Sequence, residues 1–189
     1  MDKEMIKEGV KLILKGMGED IGREGLLGTP TRVADMYEEL FSGIGKDPAE
    51  VLEPMFEENH DEIIIVKDIP FYSFCEHHLI PFIGKAHIAY VPNEGGKIIG
   101  LSKLTRVFEI AARRPQVQER LTTIVADAIM KKLDPKGTMV IVEAEHLCMS
   151  MRGVKKPNTI TVTSAVRGLF RRNPASRAEA MALIKGINR

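Results

Sequence analysis

Along the first part of the chain, apolar side chains return every three or four positions. Ile6, Val10, Ile13, Leu14 and Met17 share one face of a helix read over residues 2–17, and Gly16 and Gly18 end the pattern. A glycine-rich connector runs from Gly18 to Gly28. Thr29-Pro30 then reads as a helix start, because Thr can cap and Pro suits the first turn, where its absent N–H is not needed. Val33, Met36, Tyr37, Leu40 and Phe41 form the apolar stripe of that helix, and Gly43 stops it. With an acidic connector holding Pro48 and Pro54, these helices make an N-terminal segment over residues 1–60.

Residues 61–189 read as a second, larger region. Ile63 to Val66 is a β-branched run expected to form a buried strand broken by Pro70. Gly84 to Val91 reads as another strand, ended by a hairpin-like turn at Pro92-Asn93 and Gly95-Gly96. Ser102 is placed to cap a helix through Ala112, with Leu104, Val107, Phe108 and Ala111 inward. Pro115 opens a longer helix through Leu133, carrying Val117, Leu121, Ile124, Val125, Ala128 and Ile129. Thr138 to Cys148 is β-rich, Thr159 to Val166 alternates Thr with apolar residues, and Asn173-Pro174 starts a last helix. Strands, two helices, then strands describe an α+β domain with a mainly antiparallel sheet.

The 189 residues suffice for a real core, and 44% hydrophobic with 28% charged residues is ordinary for a soluble globular chain. The net charge of +1 lacks the basic excess of a nucleic-acid binder, so an anionic ligand must be met by a local cationic cluster. With no Trp, an aromatic platform for nucleic acid is not expected either. The N-terminus is charged from Asp2 onward and no apolar run reaches signal-peptide or membrane-span length, which points to the cytoplasm and away from a disulfide.

The densest chemistry lies in Phe74-Cys75-Glu76-His77-His78. Thiolate and imidazole are the ligands that zinc prefers, and the C-x2-H spacing of Cys75 and His78 lets one turn offer both to one ion. If the distant Cys148 joins them, an ion has three protein ligands and an open position, which is the pattern of a catalytic zinc. Two cysteines also occur as small buried apolar residues, and a single histidine is more often a satisfied core residue. Strand alternation puts His146 on the side of Cys148, with Glu143 and Glu145 on the other.

At these residues the sequence closely resembles the GTP cyclohydrolase I family. The blocks that carry the resemblance are Thr29-Pro30-Thr31-Arg32-Val33-Ala34, Ser73 to His78, Gly100-Leu101-Ser102-Lys103-Leu104-Thr105-Arg106, Arg114 to Thr122, Glu143 to Met149 and Arg152-Gly153, in the family's order. The resemblance implies a tunnelling fold, a four-stranded antiparallel sheet with two helices on one face, here preceded by the N-terminal helices. It implies a homodecamer with active sites between subunits. It also implies the reaction of GTP and water to 7,8-dihydroneopterin triphosphate and formate, the first step toward folate or related pterins. By the same resemblance Cys75, His78 and Cys148 match zinc ligands, and His77 and His146 match histidines at the purine's five-membered ring. Glu119 matches the carboxylate on the guanine edge, with Gln118 and Leu101 nearby. Lys103, Arg106 and Arg152 match triphosphate contacts, Ser102 a hydroxyl near the ribose, and Arg32 a basic residue from a neighbouring subunit. Family members can carry a second basic residue three positions after Arg32, where this chain has Asp35.

The chemistry suits these residue types. Zinc lowers the pKa of bound water from 15.7 to about 7, which supplies a nucleophile for carbon 8 of guanine. A histidine of near-neutral pKa can protonate ring nitrogen 7 and so make carbon 8 electrophilic. A helical Glu is usually a solvated i,i+4 partner, yet at Glu119 a carboxylate can accept from guanine's ring N–H and amino group. Lys103 and Arg106 are surface charges by default, but three apart near a helix N-terminus they share a side that favours an anion. No Walker A pattern is present. Two other readings are a tunnelling-fold reductase of a deazaguanine nitrile, with a cysteine nucleophile and no zinc, and a non-catalytic assembly protein stabilised by zinc.

Overall fold

The computed structural model describes residues 1–186, so the last three residues of the expected 61–189 region lie outside the described residues. The chain forms two compact units, Met1–Ile44 and Gly45–Arg189.

The first unit is helical: α1 (Lys3–Gly16), α2 (Glu24–Leu27) and α3 (Thr29–Leu40). Asp2 caps α1 by accepting from the Met5 N–H at 3.0 Å. The cap of α3 is Gly28 rather than Thr29, which is itself the first helical residue, with Pro30 in the first turn as expected. Lys3 ties α1 to α3 through Asp35 at 3.0 Å and Glu38 at 2.6 Å.

The second unit begins with a 3-10 turn (Pro48–Val51), then β1 (Met55–Glu57), β2 (Ile64–Cys75), β3 (Pro81–Val91) and β4 (Lys97–Ile99). It continues with α4 (Leu101–Ala112), β5 (Pro115–Gln116), α5 (Gln118–Leu133), β6 (Gly137–His146) and α6 (Leu147–Ser150). It ends with β7 (Ile160–Gly168), α7 (Leu169–Arg172) and α8 (Pro174–Lys185), the last capped by Asn173. Strands β2-β3-β6-β7 form the antiparallel sheet expected of the tunnelling fold, with α4 and α5 packed on one face. A two-residue parallel strand, β5, extends it beside Phe74 and Cys75.

Several local expectations are corrected. Pro70 does not break β2; it pairs opposite Lys85 where β2 is still the sheet's edge, and a missing N–H is tolerated there. The turn after β3 forms, with the Gly96 N–H on Asn93 O at 2.9 Å, but β4 pairs with β1 instead of closing a hairpin on β3. Gly100, not Ser102, caps α4. Pro115 belongs to β5, and α5 starts at Gln118. β6 ends at His146, so Cys148 lies in the short helix α6 rather than on a strand.

A bulge decides which face β2 turns to the helices. Pairing with β3 slips by one residue between Val66 and Ile69, where Asp68 takes φ 58°. Before the slip Ile64 and Val66 face the α4/α5 core, while Ile63 and Ile65 pack with the α7/α8 core. After it Ile69, Phe71 and Cys75 face α4/α5. His87 on β3 accepts the Asp68 N–H at Nδ1, 3.1 Å away, and burial pushes its pKa below 6.5, toward the neutral ring that can accept. Phe71, Phe82 and Phe108 meet edge-on beneath the helices, with ring centroids 5.0 and 5.9 Å apart.

Candidate metal centre and adjoining cavity

Cys75 is the last residue of β2, and the tight turn that follows brings His78 back beside it. The Leu79 N–H donates to Cys75 O at 2.8 Å, and the Cys75 N–H to Ile80 O at 3.0 Å. His78 Nδ1 therefore stands 3.8 Å from Cys75 Sγ. From the other side α6 delivers Cys148, and the ligand atoms of Cys75, His78 and Cys148 all lie within 4.8 Å of one another. Neither cysteine is in a disulfide. A tetrahedral ion with bonds of about 2.3 Å to sulfur and 2.0 Å to nitrogen spaces such atoms by roughly 3.5–3.8 Å, so the three fit one metal ion. Burial, then the nearby Cys75 sulfur, push the Cys148 thiol up, so a metal must displace protons to bind.

The triad opens on a cavity of about 390 Å³, whose wall also includes His77, Gln118, Glu119 and His146. His146 faces it from the end of β6, directly opposite Phe82 on β3, and the two rings stack at 4.6 Å and 5°. His146 Nε2 is 2.7 Å from Gln118 Oε1. The Gln118 amide nitrogen donates to Val142 O and Thr161 O, both at 3.0 Å, so its oxygen must be the acceptor and His146 carries its proton on Nε2. Burial lowers the His146 pKa and Glu119 opposes that shift, leaving a neutral ring with its lone pair on Nδ1. Gln118 is 1% exposed, and the expectation of a residue near a substrate's edge meets an amide already engaged by the protein.

Arg152, beyond α6, places Nη1 3.0 Å from His78 Nε2. The other expected cations are not brought to this cavity. Leu101, Ser102, Lys103 and Arg106 occupy the N-terminal half of α4, while its C-terminal end is fastened near Cys75. Ser73 Oγ donates to Ala112 O at 2.7 Å and Gln116 Nε2 to Ala111 O at 2.8 Å. At 1.5 Å rise per residue the four lie about 9–17 Å back along the helix from Ala112, and none lines the cavity. Arg32 belongs to the N-terminal unit, where it donates to Thr29 Oγ1 at 3.0 Å and Gly25 O at 3.2 Å. Sequence reading did not single out Gln116, Val117, Met149 and Thr161, which also line the cavity. The alternation of Thr161 and Thr163 on β7 was the available signal for the Gln118 network.

A cavity with a thiol–imidazole set, a carboxylate and a half-buried imidazole suits metal-assisted, proton-transferring chemistry on a polar ring. Comparison with known proteins narrows that class. The family model described as GTP cyclohydrolase I matches residues 6–185. The chain is 62% identical to GTP cyclohydrolase 1 of Pelotomaculum thermopropionicum over 185 residues, 98% of each chain. It is 62% identical to that of Carboxydothermus hydrogenoformans, covering 97% of this chain and 95% of the relative. With that of Bacillus subtilis it shares 58%, covering 98% and 97%. Among solved structures it is similar to an apo archaeosine synthase QueF-like protein, at TM-score 0.43 and 13% identity over 56% of this chain and 93% of that one. The agreement over almost the whole length includes both ligand segments and α5, and the chain belongs to the GTP cyclohydrolase I family.

Proposed function

We propose that the protein is a zinc-dependent enzyme converting GTP and water to 7,8-dihydroneopterin triphosphate and formate, acting in the cytoplasm at the start of folate or related pterin synthesis. The observation that carries this reading is the Cys75, His78 and Cys148 set sharing one cavity with Glu119 and His146. Two thiolates and an imidazole suit zinc, and when bound the ion supplies Lewis-acid activation of the water that attacks carbon 8. Glu119 accepts from guanine's ring N–H and amino group and so selects the base. His146, held by Gln118 with its lone pair on Nδ1, and His77 move protons at the five-membered ring as it opens and formate departs. Arg152 meets the triphosphate at the rim.

Lys103 and Arg106, with Leu101 and Ser102, serve the cavity of a neighbouring copy, because their half of α4 does not line their own. The assembly is the decamer expected of the family, and Arg32 reaches the phosphates from another subunit. Asp35 is ion-paired with Lys3, so Arg32 carries the share that a second cation would take.

GTP turnover, followed by formate and pterin fluorescence, tests the reading. Chelator-treated protein is expected to be inactive and to recover with Zn2+. Glu119→Ala is expected to weaken GTP binding by orders of magnitude, as sites built around a hydrogen bond do when it is lost. Full turnover without metal, or unchanged GTP affinity by calorimetry in Glu119→Ala, overturns it.

A further inference from the structure

One set of contacts beside the cavity has no part in the chemistry above. Glu76 lies between Cys75 and His78, in the turn that presents both. Its carboxylate pairs with Arg120 Nη2, and its N–H donates to Gln116 O at 2.9 Å. Arg120 stands in the first turn of α5, next to Glu119, and its Nε donates to Gln116 Oε1 at 3.0 Å. Gln116 is fully buried, is anchored by its own amide on Ala111 O at 2.8 Å, and lies opposite Cys75 in the β2–β5 pairing. One guanidinium thus joins the ligand turn to the segment that presents Gln118 and Glu119.

The Glu76 and Arg120 side chains are 34% and 45% exposed, and an ion pair so open to water adds little to global stability. Its geometric effect is larger, since groups that orient metal ligands govern affinity. We propose that Arg120 is a positioning residue. Through Glu76 and Gln116 it fixes the Cys75–His78 turn relative to Glu119, so that metal affinity and base alignment are set together. Lysine does not replace it, because only the guanidinium fork reaches Glu76 and Gln116 from different nitrogens.

The inference rests on the metal reading above, and Zn2+ affinity of the full chain, measured by competition with a chromophoric chelator, separates the two. Stoichiometric binding by the wild type upholds the metal reading; no binding removes both. Arg120→Ala and Glu76→Ala are each expected to weaken Zn2+ by about 10–100-fold and to alter the Co2+–thiolate absorption. The double variant is expected to be no weaker than the weaker single one, because the pair acts as a unit. Arg120→Lys is expected to fall in between, with the thermal midpoint of all metal-free variants near that of the wild type. Wild-type affinity in Arg120→Ala, or losses that multiply in the double variant, overturns the proposal and leaves the metal reading standing. A metal-free midpoint that collapses even in Arg120→Lys assigns the residue to folding and overturns it as well.

Discussion

Three histidines border one cavity, and hydrogen bonding sets two of them apart. His78 turns Nδ1 toward Cys75 Sγ, whereas His146 spends Nε2 on Gln118. His78→Ala and Cys148→Ala are therefore expected to lose zinc. His146→Ala and His77→Ala are expected to keep it and to turn over GTP about 10²–10⁴-fold more slowly, the usual cost of a positioned acid or base. Metal content of the purified variants decides this; zinc lost from His146→Ala and kept in His78→Ala reverses the assignment. The residue types and the C-x2-H spacing made Cys75 and His78 legible in the sequence. The nearness of His146 to Cys148 was also legible, but for a different reason from the real one. Cys148 sits in a four-residue helix, and a helix that short carries no periodic signal. The commitment of the Gln118 amide was not legible, because its partners Thr161 and Thr163 are 43 and 45 residues away in sequence.

Among the elements, β2 matters most, because its bulge sets the face on which Cys75 ends. Side chains alternate along a strand, so a one-residue slip moves every later residue to the opposite face. Deleting Asp68 removes the extra residue, so Ile64, Val66, Ile69, Phe71 and Cys75 then share one face by plain alternation, and Cys75 is expected to stay beside Cys148. The deletion is expected to keep its sheet by circular dichroism and to bind zinc as the wild type does, and zinc lost with the sheet retained would refute this role. His87 adds a pH dependence. Its folded pKa lies below 6.5, so its contribution to stability is present above that pH and is lost as pH falls through the folded value. The urea midpoint is expected to fall less on acidification in His87→Gln, which keeps an acceptor that does not titrate. Helices α4 and α5 were legible because their apolar stripes are regular. Pro70 misled because whether a proline breaks a strand depends on the neighbouring strand, and Pro115, read as a helix start, misled because its pairing with Phe74 is not local.

For the molecule as a whole, the open question of the sequence was how a chain of net charge +1 gathers cations for a triphosphate. The order of blocks suggested which cations to expect there, but not that one chain's fold keeps Lys103 and Arg106 out of its own cavity. Mixing inactive Arg32→Ala chains with inactive Cys148→Ala chains is expected to regenerate activity, and no rescue in demonstrably mixed assemblies would count against a shared site. The direction of α4 then has a kinetic meaning. Cys75, His78 and Cys148 come from one polypeptide, so at fixed free Zn2+ the zinc bound per chain is expected to be indifferent to protein dilution. On the proposed shared site turnover needs a second polypeptide, so specific activity is expected to decline as the solution is diluted past the point where copies part, with zinc still bound to each inactive chain.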